Sequence, residues 1–243
     1  MTSPDPFTHA TEAVLCERTQ GEHRHGVSPA PALRTEQDAM NNAQQWDERY
    51  RSSEQLFSGR PNGVLVAEVS GLAPGQALDV GSGEGADALW LAGQGWRVTA
   101  VDVSRVALER AAANAGELAD RVSWTHVDLA AGTMPAGSFD LVSAHYFPFA
   151  RAAGESALRA LLDTVAPGGT LLVVSHDLAD LPPGGHAGFD PGDYYQPRDL
   201  AALLGDDWTV EADETRPRVD PAPEGTAHAH DVVLRARRDL SPA

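Results

Sequence analysis

From Ala73-Pro74-Gly75 onward the chain alternates between short apolar runs of strand length and stretches with helical spacing. Ala77–Val80 reads as a first strand, and Ala86, Leu89, Trp90 and Gly93 then recur at the spacing of a buried helix face. A second strand, Val98–Val101, ends in Asp102, and Ser104 suits the N-cap of a helix carrying Ala107, Ala111, Ala115 and Leu118 on one side. Val122–Val127 and Phe139–Ala144 supply strands three and four. A helix with Leu158, Leu161, Leu162 and Val165 stops at Pro167-Gly168-Gly169, and Thr170–Ser175 is apolar enough to be a central strand. Such alternation predicts an α/β fold, a parallel sheet covered by helices on both faces.

Two flanking segments complete the domain. Ahead of the first strand the pattern gives a helix with Trp46 and Tyr50, a loop over 57–62, and a helix carrying Val64, Leu65, Val66 and Val69 that Ala73-Pro74-Gly75 breaks. At the other end Gln196-Pro197 opens a short helix with Leu200, Leu203 and Leu204, which Gly205 closes. Trp208–Ala212 and Asp231–Arg237 read as two final strands, paired antiparallel at one edge of the sheet. Residues 1–40 mix Pro, Thr, Glu, His and Ala without sustained periodicity and read as a disordered N-terminal extension, leaving residues 41–239 as the folded domain. His9 and His23-Arg24-His25 form a weak metal-binding tract within that extension, for which a solvated tail is the favoured reading.

Composition narrows the function. The 243 residues carry a formal net charge of −17, which offers no basic footprint for a nucleic acid. The single cysteine, Cys16, excludes an intramolecular disulfide and a cysteine zinc cluster. No apolar run nears the roughly 20 residues a membrane span requires, and the first residues lack the basic start and apolar stretch of a secretory signal. The expectation is a soluble cytoplasmic protein, monomeric or homodimeric, without a membrane or nucleic-acid partner and without a metal.

The chemistry concentrates in Leu78-Asp79-Val80-Gly81-Ser82-Gly83-Glu84-Gly85. Glycines between a strand and a helix let a ligand approach the main chain. An acid ending the next strand, here Asp102, suits a ribose diol, because a carboxylate accepts from both hydroxyls. A dinucleotide fingerprint spaces its glycines Gly-x-Gly-x-x-Gly to seat a pyrophosphate. Gly81, Gly83 and Gly85 are one residue tighter, and Asp79 and Glu84 repel a diphosphate while favouring a cation. That charge pattern favours S-adenosylmethionine (SAM), which carries an ammonium and a sulfonium but no phosphate, over NAD.

Taken with Val101-Asp102-Val103-Ser104, Asp128-Leu129, Phe139-Asp140-Leu141-Val142 and Ala166-Pro167-Gly168-Gly169-Thr170-Leu171, this loop resembles the class I SAM-dependent methyltransferase family over residues 44–237. The front segment Trp46-Asp47-Glu48-Arg49-Tyr50, with Asn62, resembles its small-molecule branch of tellurite-resistance and thiopurine-type enzymes. The resemblance implies a Rossmann-like sheet of seven strands, mostly parallel with the last antiparallel. It also implies roles: Gly81, Ser82, Gly83 and Gly85 beside the methionine part of SAM, Asp79 near its ammonium, Asp102 on the ribose, Val103 and Leu129 against the adenine, and Asp128 accepting from its exocyclic amine. Asp128 equally suits a strand end, and Trp46 and Tyr50, at i and i+4, serve either as a cofactor lid or as core packing.

Acceptor-side candidates follow from position. His145 and His176 end strands four and five at the edge of the sheet where ligands bind. His145 is the candidate general base, and both histidines, with Tyr194, are candidate substrate contacts; plain packing is the competing reading for each. Asp177 is placed to orient His176. The glycine-rich stretch 181–195 reads either as a lid over the acceptor or as a surface loop. His228, His230 and Asp231 invite a metal, but without a third ligand they read as the surface of an edge strand. The expected activity is methyl transfer from SAM to a small-molecule acceptor by in-line displacement, the acidic surface mildly favouring a neutral or cationic acceptor. The alternative is an inactive SAM-binding module that acts through partner contacts.

Overall fold

The computed structural model describes residues 36–129, 133–181, 190–220 and 228–240. Two helices lead, α1 (Glu36–Arg51) and α2 (Gly63–Val69). The alternating body follows: β1 (Gln76–Val80), α3 (Ala86–Gly93), β2 (Arg97–Asp102), α4 (Arg105–Ala113), β3 (Val122–His126), β4 (Phe139–His145), α5 (Glu155–Asp163), β5 (Val165–His176) and α6 (Pro197–Ala201). Strands β6 (Trp208–Pro217) and β7 (His230–Arg238) close the chain.

The seven strands form one sheet in the order β3-β2-β1-β4-β5-β7-β6. The β3-β2-β1-β4-β5 pairs are parallel, and β7 runs antiparallel to both neighbours. Strand order reverses between β1 and β4, so loops leaving those two strands diverge and open a crevice at their C-terminal ends.

Alternation along each strand supplies two cores. Leu78 and Val80 of β1 join Leu171 and Val173 of β5, Leu158 and Leu161 of α5, and Leu200 of α6 on one face. Ala77 joins Leu172, Val174, Leu141 and Val233 against α2 and α3 on the other. Asp79 shares the parity of Ala77, and Ser143 and His145 share that of Leu141. Their strand positions therefore fall on the α3 side, at the mouth of the crevice.

Four boundaries differ from the sequence reading. Helix α1 begins at Glu36, inside the stretch assigned to the N-terminal extension; Glu36, Gln37 and Ala39 are fair helix formers that extend it. The buried face of α3 is Asp87, Ala88, Leu91 and Ala92, not Ala86, Leu89, Trp90 and Gly93. Counting apolar residues alone misphased it, because Asp87 is polar yet buried. Val165 and Pro167-Gly168-Gly169 belong to β5, where the pairing slips from Phe139↔Val165 to Leu141↔Thr170, the signature of a bulge. Finally β7 lies inside the sheet and β6 forms the edge, so His230 and Asp231 are not on an edge strand. The remainder of the N-terminal extension with its histidine tract, and Gly184-Gly185-His186 of the suspected lid, lie outside the described residues.

Candidate functional site

The loop after β1 folds tightly. The Gly81 and Ser82 amides both donate to Val101 O, at 2.9 and 3.0 Å, and Gly85 N donates to Ser82 O at 2.9 Å. Gly81, Gly83 and Gly85 all take positive φ, 72°, 51° and 85°. Gly85 has a second reason to lack a side chain: a Cβ there would stand 2.6 Å from the Trp124 ring and 2.8 Å from Ala111 Cβ. Its absence lets α3 start close against β3 and α4.

Asp102 closes one half of the crevice. Its Oδ2 accepts from Gly83 N and its Oδ1 from Ser104 N, both at 2.8 Å, which fixes the carboxylate between loop and helix. Each oxygen keeps a lone pair for a further hydrogen bond. Burial raises its pKa, opposed by those amides. Ser104 caps α4 by accepting from Ala107 N at 3.1 Å. Val103 is half-buried beside it, its carbonyl accepting from His126 Nε2 at 2.9 Å. Leu129 is buried and Asp128 half-buried just past β3.

Asp79 marks the opposite half. It is 2% exposed, and its Oδ2 meets no hydrogen-bond donor among the described residues. Burial, then the carboxylates of Asp87 and Asp102, push its pKa well above the ordinary range. A buried carboxylate in that condition calls for either a proton or a cation. Ser82 Oγ is likewise buried without a partner.

Helix α1 roofs the loop. Asp47 Oδ1 accepts from Ser104 Oγ at 2.7 Å and from Val106 N at 3.2 Å, tying α1 to the start of α4. Tyr50, one turn after Trp46 with ring centroids 6.1 Å apart, is 3% exposed. Its phenol oxygen stands 2.9 Å from where a Cβ of Gly83 would be. Trp46 is half-buried. Glu84 differs from its sequence reading as a cation-attracting group. Its Oε2 accepts from the amides of Leu56 and Phe57 at 3.0 and 3.1 Å, and Arg110 pairs with Oε1 at 3.0 Å. Its charge is spent on holding the front loop.

A dense polar cluster lies at the ends of β4, β5 and β7. His145 has a 3% exposed side chain, and burial lowers its pKa against the pull of Asp87 and Asp231. Tyr146 adopts φ of 54°, the one non-glycine residue among those described with positive φ. Its hydroxyl donates to Asp231 Oδ1 at 3.0 Å, and its ring stacks on His176 with centroids 4.3 Å apart. His176 stacks in turn on His228 at 3.9 Å. Arg218 donates to His176 Nδ1 at 3.1 Å and to Asp231 Oδ1 at 3.2 Å. Because a guanidinium only donates, His176 is neutral with its proton on Nε2. Its pKa falls to about 3, from burial and then the neighbouring His228 and Arg218.

The structure thus brings Asp79, the glycines, Ser82, Asp102, Val103, Tyr50 and His145 to one edge of the sheet. Asp177 does not orient His176; its side chain caps a turn by accepting from Ala179 N at 3.0 Å. Tyr194 bridges to Ala150, so residues 190–195 dock beside the segment leaving β4. His228, His230 and Asp231 take separate partners, His230 bonding to Asp180 at 2.9 Å. Among the described residues no three His, Cys, Asp or Glu side chains gather as a metal site, and no helix is long and apolar enough to cross a membrane. Sequence reasoning missed Asp87 and Arg218. An acid in the first turn of a helix ordinarily answers the helix dipole at the surface, and Arg218 sits in a proline-rich connection with no pattern of its own.

Comparison with known proteins shows the same fold. Residues 77–169 match the family model described as a methyltransferase domain. None of the curated proteins matches the chain. A structure solved for the conversion of a disulfide bond into a thioacetal group during echinomycin biosynthesis is 24% identical, covering 83% of this chain and 93% of its own, with a TM-score of 0.64. The N-methyltransferase NodS from Bradyrhizobium japonicum WM9, in complex with S-adenosylhomocysteine, is 21% identical, covering 81% and 98%, with a TM-score of 0.61. TehB from Haemophilus influenzae is 17% identical, covering 81% and 67%, with a TM-score of 0.58.

Proposed function

We propose that this chain, which has the class I methyltransferase fold and the family's methyltransferase domain over residues 77–169, transfers a methyl group from SAM to a small-molecule acceptor. The observation that carries the reading is Asp79: a buried carboxylate at the end of β1, one oxygen without a donor, beside a glycine loop. An ammonium supplies the missing positive charge and the missing hydrogen bond together, so the residues present fit SAM.

In this reading Asp79 holds the amino group, and the Gly81–Gly85 backbone lies along the methionine part. Asp102 takes the ribose hydroxyls, and Val103, Asp128 and Leu129 border the adenine. Trp46 and Tyr50 cover the loop and exclude water. His145, His176 and Tyr194 border the acceptor. When bound, SAM supplies an electrophilic methyl on a positively charged sulfur. The chain's own contribution is alignment of the acceptor atom with that methyl at near-attack distance in a dry site. NodS bound to S-adenosylhomocysteine, with the same fold, supports the cofactor assignment. The acidic composition and the lack of a basic footprint support a small acceptor over a nucleic acid.

Calorimetry with SAM, S-adenosylhomocysteine and NAD tests the cofactor, and methyl release from labelled SAM against pooled thiols, amines, phenols, carboxylates and chalcogen oxyanions tests the activity. Binding of SAM and its product with transfer to one pool is the expected result. Heat from NAD alone overturns the reading, and tight SAM binding with no transfer to any pool points to a binding module.

A further inference from the structure

Asp87 is a buried carboxylate with no contact to cofactor or acceptor in the methyltransferase reading. It lies in the first turn of α3 and is 7% exposed. Asn62 grips both of its oxygens: the backbone amide donates to Oδ1 at 2.7 Å and the side-chain amide to Oδ2 at 2.8 Å. That grip fixes the plane of the carboxylate. The same Oδ2 lies 3.5 Å from His145 Nδ1. Neither ring nitrogen of His145 meets a hydrogen-bond partner among the described residues, although both are buried. The backbone around His145 is also held: Tyr146 N donates to Val174 O at 2.8 Å, and Tyr146 is anchored through its hydroxyl to Asp231.

We propose that Asp87, braced by Asn62, is the positioning residue for His145: it holds the imidazole proton on Nδ1 and leaves Nε2 to take the proton of the methyl acceptor. The inference rests on the methyltransferase reading and adds a base to it. A carboxylate beside Nδ1 favours the tautomer protonated there, because the opposite one would set a nitrogen lone pair against an anion. Asp231 of β7, which Arg218 neutralises in part, also acts on the imidazole, and Asp79 of β1 interacts with Asp87 itself. As the acceptor's heteroatom bonds to the methyl carbon and the carbon–sulfur bond breaks, the acceptor proton passes to Nε2. The sulfur leaves neutral with the bonding pair, and the imidazolium charge is met by Asp87. The proton leaves to solvent with product release.

Two-bond proton–nitrogen correlation on histidine-labelled protein reads the tautomer directly, with the His145 signal identified by its loss in His145→Gln. In the unaltered protein, with and without S-adenosylhomocysteine, His145 is expected as the Nδ1–H tautomer. Asp87→Asn should lower the His145 titration midpoint and mix the tautomers, since the anion that favours both the cation and Nδ1–H is gone. The wild-type measurement needs no variant to fold. An Nε2–H tautomer in a protein that binds S-adenosylhomocysteine overturns the positioning assignment alone. An Nδ1–H tautomer in a protein that binds no adenosyl ligand overturns the methyltransferase reading and the base role with it.

Discussion

Asp102 Oδ2 accepts the amide of Gly83 at 2.8 Å, so the acid that ends β2 is built into the loop that follows β1. In the proposed function that contact joins cofactor binding to folding. Asp102→Ala removes an acceptor from the Gly83 and Ser104 amides as well as from the ribose. Hydrogen bonds to a charged group contribute about 1.5–3 kcal/mol each, so S-adenosylhomocysteine should bind roughly 10-fold to 100-fold more weakly by calorimetry. The melting temperature should fall as well. Undiminished affinity would show that Asp102 is not the ribose ligand.

A change at Gly85 tests the loop through its backbone. Gly85→Ala forces a residue with a side chain to hold φ of 85° and pushes a methyl to 2.6 Å from Trp124. The left-handed conformation costs about 1–2 kcal/mol, and overpacking adds about 1–3. Denaturant unfolding should therefore show a loss of roughly 2–5 kcal/mol. A loss within 0.5 kcal/mol, the order of an ordinary surface substitution, would mean that α3 readily shifts away from β3.

Asp79 gives a pH signature with a definite sign. Its folded pKa is raised above the ordinary 3.8, so the folded protein holds a proton that the unfolded chain has already lost. Stability of the ligand-free protein therefore declines as pH rises from about 4 through the raised pKa. Ammonium binding runs the other way, because only the deprotonated carboxylate attracts it. Affinity for S-adenosylhomocysteine should rise with pH over that window. Asp79→Asn should flatten both curves, stabilise the ligand-free protein at neutral pH and weaken the ligand. Asp102 and Asp231 are raised too, so the difference between parent and variant is the quantity that decides.

Asp79 and Asp102 were legible because each ends an apolar run before a glycine or helix signal, and parallel sheets set such residues at one edge. The seven-stranded architecture followed from the same alternation. Asp87 was not legible: an i, i+3, i+4 count treats an acid as solvent-facing, and its burial is supported by Asn62, 25 residues away, and by His145 of β4. The Tyr146–His176–His228 stack depends on the register of β4 with β5 and of β5 with β7, which no local pattern encodes. The inner position of β7 also escaped the sequence reading. The signal was the Val232-Val233-Leu234 run of β7, set against the polar Glu211–Glu214 stretch of β6.

Arg218 and Asp231 carry the last expectation. Their side chains are 10% and 1% exposed and lie 3.2 Å apart, with Arg218 also reaching His176 Nδ1. Removing one partner of a buried pair leaves an uncompensated charge and costs about 3–5 kcal/mol. Arg218→Leu should lose that much at pH 8, with Tyr146 the remaining side-chain donor to Asp231 Oδ1. The deficit should shrink on acidification, because burial already raises the Asp231 pKa and losing Arg218 raises it further, so that protonation removes the stranded charge. The double variant Arg218→Leu with Asp231→Asn should recover most of the loss, since a neutral amide in that position has less to strand. A pH-independent deficit, or no recovery in the double variant, would show that Arg218 acts by packing against Tyr146 and His176 and not through its charge.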